Sequence, residues 1–210
     1  MIIRWHGHAC FEIRNDHVIV TDPHDGKSLG IKPPQVKGDL VLVSHQHFDH
    51  NSVKTVQKNS TITISEPGKH KEMGIPIKGM MAFHDDANGE RRGEVCIFNF
   101  KVDGLNICHL GDLGHIPNSK LVEEIGPIDI LFIPIGNVFT IGAHDAWVTI
   151  KMLKPKIAIP MHYRVGGLSL SIQPLDPFLS NIEHVERVGN EIDFGPEDIP
   201  DEFEVWVFSL

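Results

Sequence analysis

The sequence predicts a mixed α/β fold in which two sheets pack face to face and helices cover their outer faces. Three observations point there. The first hundred residues read almost entirely as short strands, and strands alternate with helices from Leu105 onward. The length of 210 residues, with 41% hydrophobic and 22% charged content, suits one core-forming domain spanning residues 1–210.

Taken in order, apolar runs at residues 2–5, 9–13 and 18–21 are separated by Gly7 and by the turn pair Asn15-Asp16, which predicts a meander. Thr21-Asp22-Pro23 then opens a loop rich in Gly and Pro that continues through Pro33-Pro34 to a buried run at 40–43. Further strands are expected at 61–65, 75–83, 95–102, 106–110, 128–133, 157–160 and 204–208. A helix at 119–125 has Asn118 or Ser119 as its cap. A second at 144–153 carries Ala146, Trp147, Ile150 and Leu153 at helical spacing before Pro155 stops it, and a third is expected at 176–181. No internal repeat is visible.

The formal charge of −9 and a pI near 5.8 disfavour long nucleic acids, whose phosphates are held by clustered Lys and Arg, but leave small anionic substrates admissible. Cys10, Cys96 and Cys108 form no Cys-x-x-Cys pair, so no disulfide framework is expected and a reducing compartment fits. With neither a secretory signal pattern at the start nor an apolar segment long enough for a bilayer, the expectation is a cytoplasmic protein without membrane partners. A homo-oligomer is compatible with all of this.

Residues 44–50 read Ser-His-Gln-His-Phe-Asp-His directly after an apolar run. Three imidazoles and a carboxylate in so short a stretch are the donors that zinc and neighbouring divalent ions accept, and without a partner they would be costly to bury. His45 and His47 leave the same face of an extended chain, while Asp49 and His50 follow where it turns, so the stretch can serve two adjacent ions. Three more strand ends carry donors: His84, His109 with Asp112, and His162. A donor fixed by a sheet is held in coordination geometry at little entropic cost. If 106–112 is extended, His109 and Asp112 point to opposite faces, so a site built on Asp112 leaves His109 in a supporting role and favours His84.

This pattern of His-x-His-x-Asp-His, a strand-end His, Gly-Asp and a late His resembles the metallo-β-lactamase superfamily of metal-dependent hydrolases. The resemblance implies a four-layer αββα sandwich in which His45, His47 and His84 bind a first ion, Asp49, His50 and His162 a second, and Asp112 bridges them. Trp5-His6-Gly7-His8-Ala9-Cys10-Phe11, Thr21-Asp22-Pro23 and residues 154–163 are similar to the branch that includes L-ascorbate 6-phosphate lactonases, for which zinc or manganese fits. His47 stands where redox members carry glutamate, and the chain leaves little room for the cap or arm of nuclease members.

Two divalent ions about 3.5–4 Å apart lower the pKa of water toward 7, so the expected nucleophile is hydroxide, aligned by Asp49 and acting on a small ester, lactone or phosphodiester. Arg91 and Arg92, on a flexible segment after His84, are candidates to clamp a substrate anion. His144, His115 and Tyr163 are candidate proton donors or substrate contacts, and His6, His8, Asp22 and His109 are candidates to orient the ligands. Phe139 and Trp147 are expected in the core. Rival readings are a metal-binding sensor or scaffold without turnover and a phosphodiesterase or nuclease acting on short nucleic acid.

Overall fold

A computed structural model describes residues 1–180, 182 and 184–210. The first sheet begins with an antiparallel meander of β1 (Ile2–Trp5), β2 (Phe11–Arg14) and β3 (Val18–Thr21). It continues in parallel through β4 (Leu40–Leu42) and β5 (Ile62–Ile64). The second sheet runs antiparallel through β6 (Gly68–Glu72), β7 (Ile75–Phe83), β8 (Glu94–Val102) and β9 (Leu105–His109). It then turns parallel through β10 (Ile130–Pro134), β11 (Ile157–Met161) and β14 (Glu204–Phe208), with β12 (Val185–Gly189) at the far edge. β13 (Glu191–Asp193) crosses over to pair with β1 and closes the first sheet.

The two sheets share one apolar interior. Phe11 of the first and Phe132 of the second meet at 4.2 Å between ring centroids, and Trp5 stacks on Tyr163 at 5.2 Å. β10 and β11 are buried along their whole length, as expected of parallel strands covered on both faces, and their sequences are accordingly continuous apolar runs. The one-turn helix α1 (Val53–Val56) seals the outer face of the first sheet, where Val56 joins Cys10, Val20, Val41 and Val43. Helix α2 (Ser119–Ile125) is capped by Asn118, whose side chain accepts from Leu121 N–H at 2.9 Å, and contacts β7. Helix α3 (Ala143–Leu153) buries Ala146, Thr149, Ile150 and Leu153, and packs on the short α4 (Asp176–Leu179). The expected third helix thus ends at Leu179, and residue 181 lies outside the described residues. Among the described residues no helix is long and apolar enough to cross a membrane.

β6, β12 and β13 correct the expected strand set. Their sequences, such as Gly-Lys-His-Lys-Glu in β6, are polar and partly exposed, and they owe their extended form to backbone pairing at sheet edges rather than to apolar periodicity.

Candidate metal centre

Every turn that carries a candidate donor follows the carboxyl end of a strand, where loops of layered α/β folds build their sites. Asp22 follows β3, residues 44–50 follow β4, His84 follows β7, Asp112 follows β9 and His162 follows β11. The backbone binds these ends together: Ser44 C=O accepts from Cys96 N–H at 2.8 Å across the two sheets, and His8 C=O accepts from His162 N–H at 3.0 Å. Gly111, at φ +54°, is required beside Asp112, because a Cβ there would lie 2.6 Å from Ser44 Cβ.

The seven expected donors converge. Ligand atoms of His45, His47 and His84 lie within 4.8 Å of one another, as do those of Asp49, His50, His162 and also His8. Asp112 stands between the groups, its Oδ2 at 3.1 Å from His162 Nε2, 3.2 Å from His50 Nε2, 3.5 Å from His84 Nε2 and 3.9 Å from His45 Nε2. Close as these approaches are, among the described residues the Nε2 atoms of His45, His50 and His162, together with Asp112 Oδ1, are buried without a well-aligned hydrogen-bond partner. Orphaned donors of this kind are expensive to bury in an apolar interior. Their imidazole and carboxylate chemistry fits divalent first-row ions, which would satisfy them.

A layer of hydrogen bonds orients the converging side chains. Asp22 Oδ1 accepts from Ser44 N–H at 2.6 Å, and Oδ2 accepts from Ser44 Oγ–H at 2.6 Å and His50 Nδ1–H at 2.9 Å. The bond from His50 Nδ1 fixes its tautomer and turns Nε2 toward Asp112. Ser44 Oγ also reaches His45 Nδ1 at 2.9 Å, so one carboxylate steers two imidazoles. His8 Nε2 bonds Asp49 Oδ2 at 3.0 Å.

Residues 2–162 match the Beta-lactamase superfamily domain. The chain belongs to the metallo-β-lactamase superfamily. Among similar proteins, a UPF0173 metal-dependent hydrolase of Thermoplasma acidophilum is 33% identical over 79% of this chain and 84% of its own. One of Pelotomaculum thermopropionicum is 35% identical over 80% and 86%. A crystal structure from Thermotoga maritima, of a superfamily protein whose name proposes a Zn-dependent hydrolase, is 38% identical, covers 99% of this chain and 97% of its own, and superposes with a TM-score of 0.82.

In this metallo-β-lactamase chain the electrostatics leave most donors in the state that metals accept. Burial and the neighbouring His162 push His8 down to about 3, and burial and His50 do the same to His45, so both rings are neutral at pH 7. Burial alone would raise Asp112, but His162 and His50 hold it well below the usual carboxylate range. His50 is the exception: burial would lower it, yet Asp112 and Asp22 raise it well above the ordinary imidazole value. A proton on His50 therefore stands in for the cationic charge that two carboxylates call for.

The cluster opens into a cavity of about 240 Å³ lined by His47, Phe48, Asp49, His84, Arg92, Asp112, Phe139, His162 and Leu170. Several expected contacts are corrected here. His144 is exposed at the start of α3, beside Trp147, Lys151 and Pro177 and away from this cavity, because the face two residues on faces the core. Tyr163 is buried against Trp5 with its hydroxyl directed at Phe208 C=O, and it does not line this cavity. His6 pairs with Glu12 at 3.1 Å, and its side chain forms no hydrogen bond to the converging donors among the described residues. His109 is likewise outside the cluster: Nε2 donates to Ala9 C=O at 3.0 Å and Nδ1 accepts from Gly111 N–H at 3.1 Å. It steadies the segment that carries His8. His115 lines an adjoining cavity with both ring nitrogens engaged by backbone, Nδ1 with Ile116 C=O and Nε2 with Phe83 N–H.

Sequence reading missed Ser44, whose role depends on Asp22 being brought beside it, and Phe48 and Phe139 as cavity walls. Phe139, expected in the core, is half-buried at the mouth. A signal for it existed: it lies in the loop after β10, at the same rim as the other donors.

Proposed function

We propose that the protein is a metal-dependent hydrolase that takes two divalent ions, zinc or manganese, and cleaves a small ester, lactone or phosphodiester. The observation that carries this reading is the convergence of His45, His47, His84, Asp49, His50 and His162 around Asp112, with the Nε2 atoms of His45, His50 and His162 lacking a well-aligned hydrogen-bond partner among the described residues. The name shared by the UPF0173 relatives supports the same reaction class. In the proposed assignment His45, His47 and His84 would hold one ion, Asp49, His50 and His162 the other, and Asp112 would contribute to both. Lactone hydrolysis, as in the lactonase-like branch, is one chemistry of this class. The buried free thiols of Cys10, Cys96 and Cys108 support action in a reducing compartment such as the cytoplasm.

Bound divalent ions supply Lewis acidity and make hydroxide available near neutral pH. The chain supplies the rest. Asp49, held ionised by His50 and His8 against the upward push of burial, accepts the bond from His8 Nε2 and keeps its remaining lone pairs for aligning the attacking water. Asp22 holds the proton on His50 Nδ1, which leaves Nε2 as the atom that would ligate an ion. Phe48, Phe139 and Leu170 give the cavity one apolar wall.

Elemental analysis followed by a panel of lactones, thioesters and phosphodiesters with Zn²⁺ and Mn²⁺ tests this reading. His47→Ala should lose metal stoichiometry and turnover together. Full activity in that variant would refute the two-ion assignment, and a metal-saturated native protein silent on the whole panel would favour a sensor.

A further inference from the structure

Arg92 occupies a singular position on the rim. It lines the 240 Å³ cavity with Asp112 and His162, an adjoining one of about 480 Å³ that also contains His84, and a third of about 330 Å³ that contains His45 and His47. Its guanidinium carbon lies 4.6 Å from the centre of the Phe139 ring, a cation–π support that holds the charge at the mouth. The neighbouring Arg91 is already engaged, with Nη1 bonded to Asp86 at 2.9 Å. Among the described residues no carboxylate forms an ion pair with Arg92, although the chain carries a net charge of −9. A cation left unpaired on so acidic a protein, beside the converging donors, is available to an anion from solution.

The backbone beneath Arg92 is fixed by one side chain. Asp85 Oδ1 accepts from Ala87 N–H at 2.8 Å and Gly89 N–H at 2.9 Å, and Oδ2 accepts from Arg91 N–H at 2.9 Å and Arg92 N–H at 2.8 Å. His84 N–H donates to Gly93 C=O at 3.0 Å and closes the loop onto the end of β7. Four backbone donors on one carboxylate make a rigid arm of a segment that sequence marks as flexible, and the arm springs from the residue after His84.

We propose that Arg92 selects an anionic group on the substrate and that Asp85 is its positioning residue. The substrate class is then a small ester, lactone or phosphodiester with a carboxylate or phosphate a few bonds from the scissile bond and an apolar body against Phe48, Phe139 and Leu170. The proposal deepens the hydrolase reading and rests on it. Arg92 donates in a fork to the anion, and discrimination appears in KM because the contact exists before bond cleavage.

The test compares 4-nitrophenyl valerate with the mono-4-nitrophenyl esters of glutarate and of 3-phosphonopropionate on the Zn-loaded protein of residues 1–210. A charged ester should be favoured at least tenfold in kcat/KM, and the better of the two identifies the anion. Arg92→Ala should reduce that preference tenfold or more through KM, Arg92→Lys should restore part of it, and Arg91→Ala should leave it intact. Asp85→Asn should raise KM for the charged ester with kcat little changed, and should speed amide exchange at Ala87, Gly89, Arg91 and Arg92. Equal kcat/KM for neutral and charged esters, or a preference untouched by Arg92→Ala, overturns the proposal. A calorimetric titration with glutarate monoanilide reads binding without turnover: affinity should fall about tenfold in Arg92→Ala, and equal affinity overturns anion selection. Arg92-dependent binding without turnover of any ester refutes the hydrolase reading alone, whereas turnover blind to charge refutes Arg92 alone.

Discussion

His8, Asp22 and His162 all have left-handed backbone, with φ of 55°, 37° and 53°. Each such residue other than glycine costs about 1–2 kcal/mol, so its side chain must return at least that much to the folded protein. Asp22 does so through three hydrogen bonds to Ser44 and His50. Asparagine tolerates the same backbone and keeps the shape, so Asp22→Asn isolates the charge and the second acceptor. Metal affinity in that variant should fall about 10–100-fold, as read by competition with a chelator, because His50 loses the anion that fixes its tautomer. Unchanged affinity would show that the Asp22–His50 bond does not order the ligand. The dense run from His45 to His50 was legible because its own spacing places the donors. The contact between His8 and Asp49 spans 41 positions and was not, since neither residue's neighbourhood in sequence announces the other.

At the level of loops and strands, the close approach of two turns decides where His84 sits. A Cβ on Gly114 would lie 2.3 Å from both His84 C and Asp85 N, so one backbone must move to admit it. Gly114→Ala should therefore lose about 1–3 kcal/mol in urea denaturation and lower metal content after reconstitution, both in one variant. If stability and content hold together at native values, the two turns are less tightly coupled than their spacing implies. The interior strands β10, β11 and β14 were readable because buried apolar runs make them, β7 because buried and exposed residues alternate along most of it, and α3 was readable with its inward face at Ala146, Ile150 and Leu153. That same phase already placed His144 outside. β12 and β13 were not readable, since partner edges rather than their own residues dictate their conformation.

Across the whole molecule two buried histidines act alike. His24 accepts from Gly26 N–H at 3.1 Å and donates to His6 C=O at 3.0 Å, as His109 does with Gly111 and Ala9, so the pair brackets the turn that carries His8. Both bonding patterns need a neutral ring. Burial lowers His24 to about 4 and moves His109 in the same direction, while the unfolded chain titrates near 6.5. Below about 6.5 the unfolded state binds more protons, so this stabilisation, complete above that pH, is lost as pH falls toward 4. His8 and His45 add to the loss, whereas the raised His50 opposes it by favouring the fold at low pH. Metal-free protein should lose roughly 1 kcal/mol or more per depressed histidine between pH 7.5 and 5.5, seen as a lower urea midpoint, and His109→Gln should narrow that difference. The proposed donors come from both sheets: His45, His47, Asp49 and His50 from one, His84, Asp112 and His162 from the other. An ion gripped from both sides would act as a rivet through two plates. Sliding of one plate over the other, otherwise opposed by interlocked side chains and a few backbone bonds such as Cys96 N–H to Ser44 C=O, would then have to tear coordination bonds, so metal content should govern how this protein withstands mechanical shear.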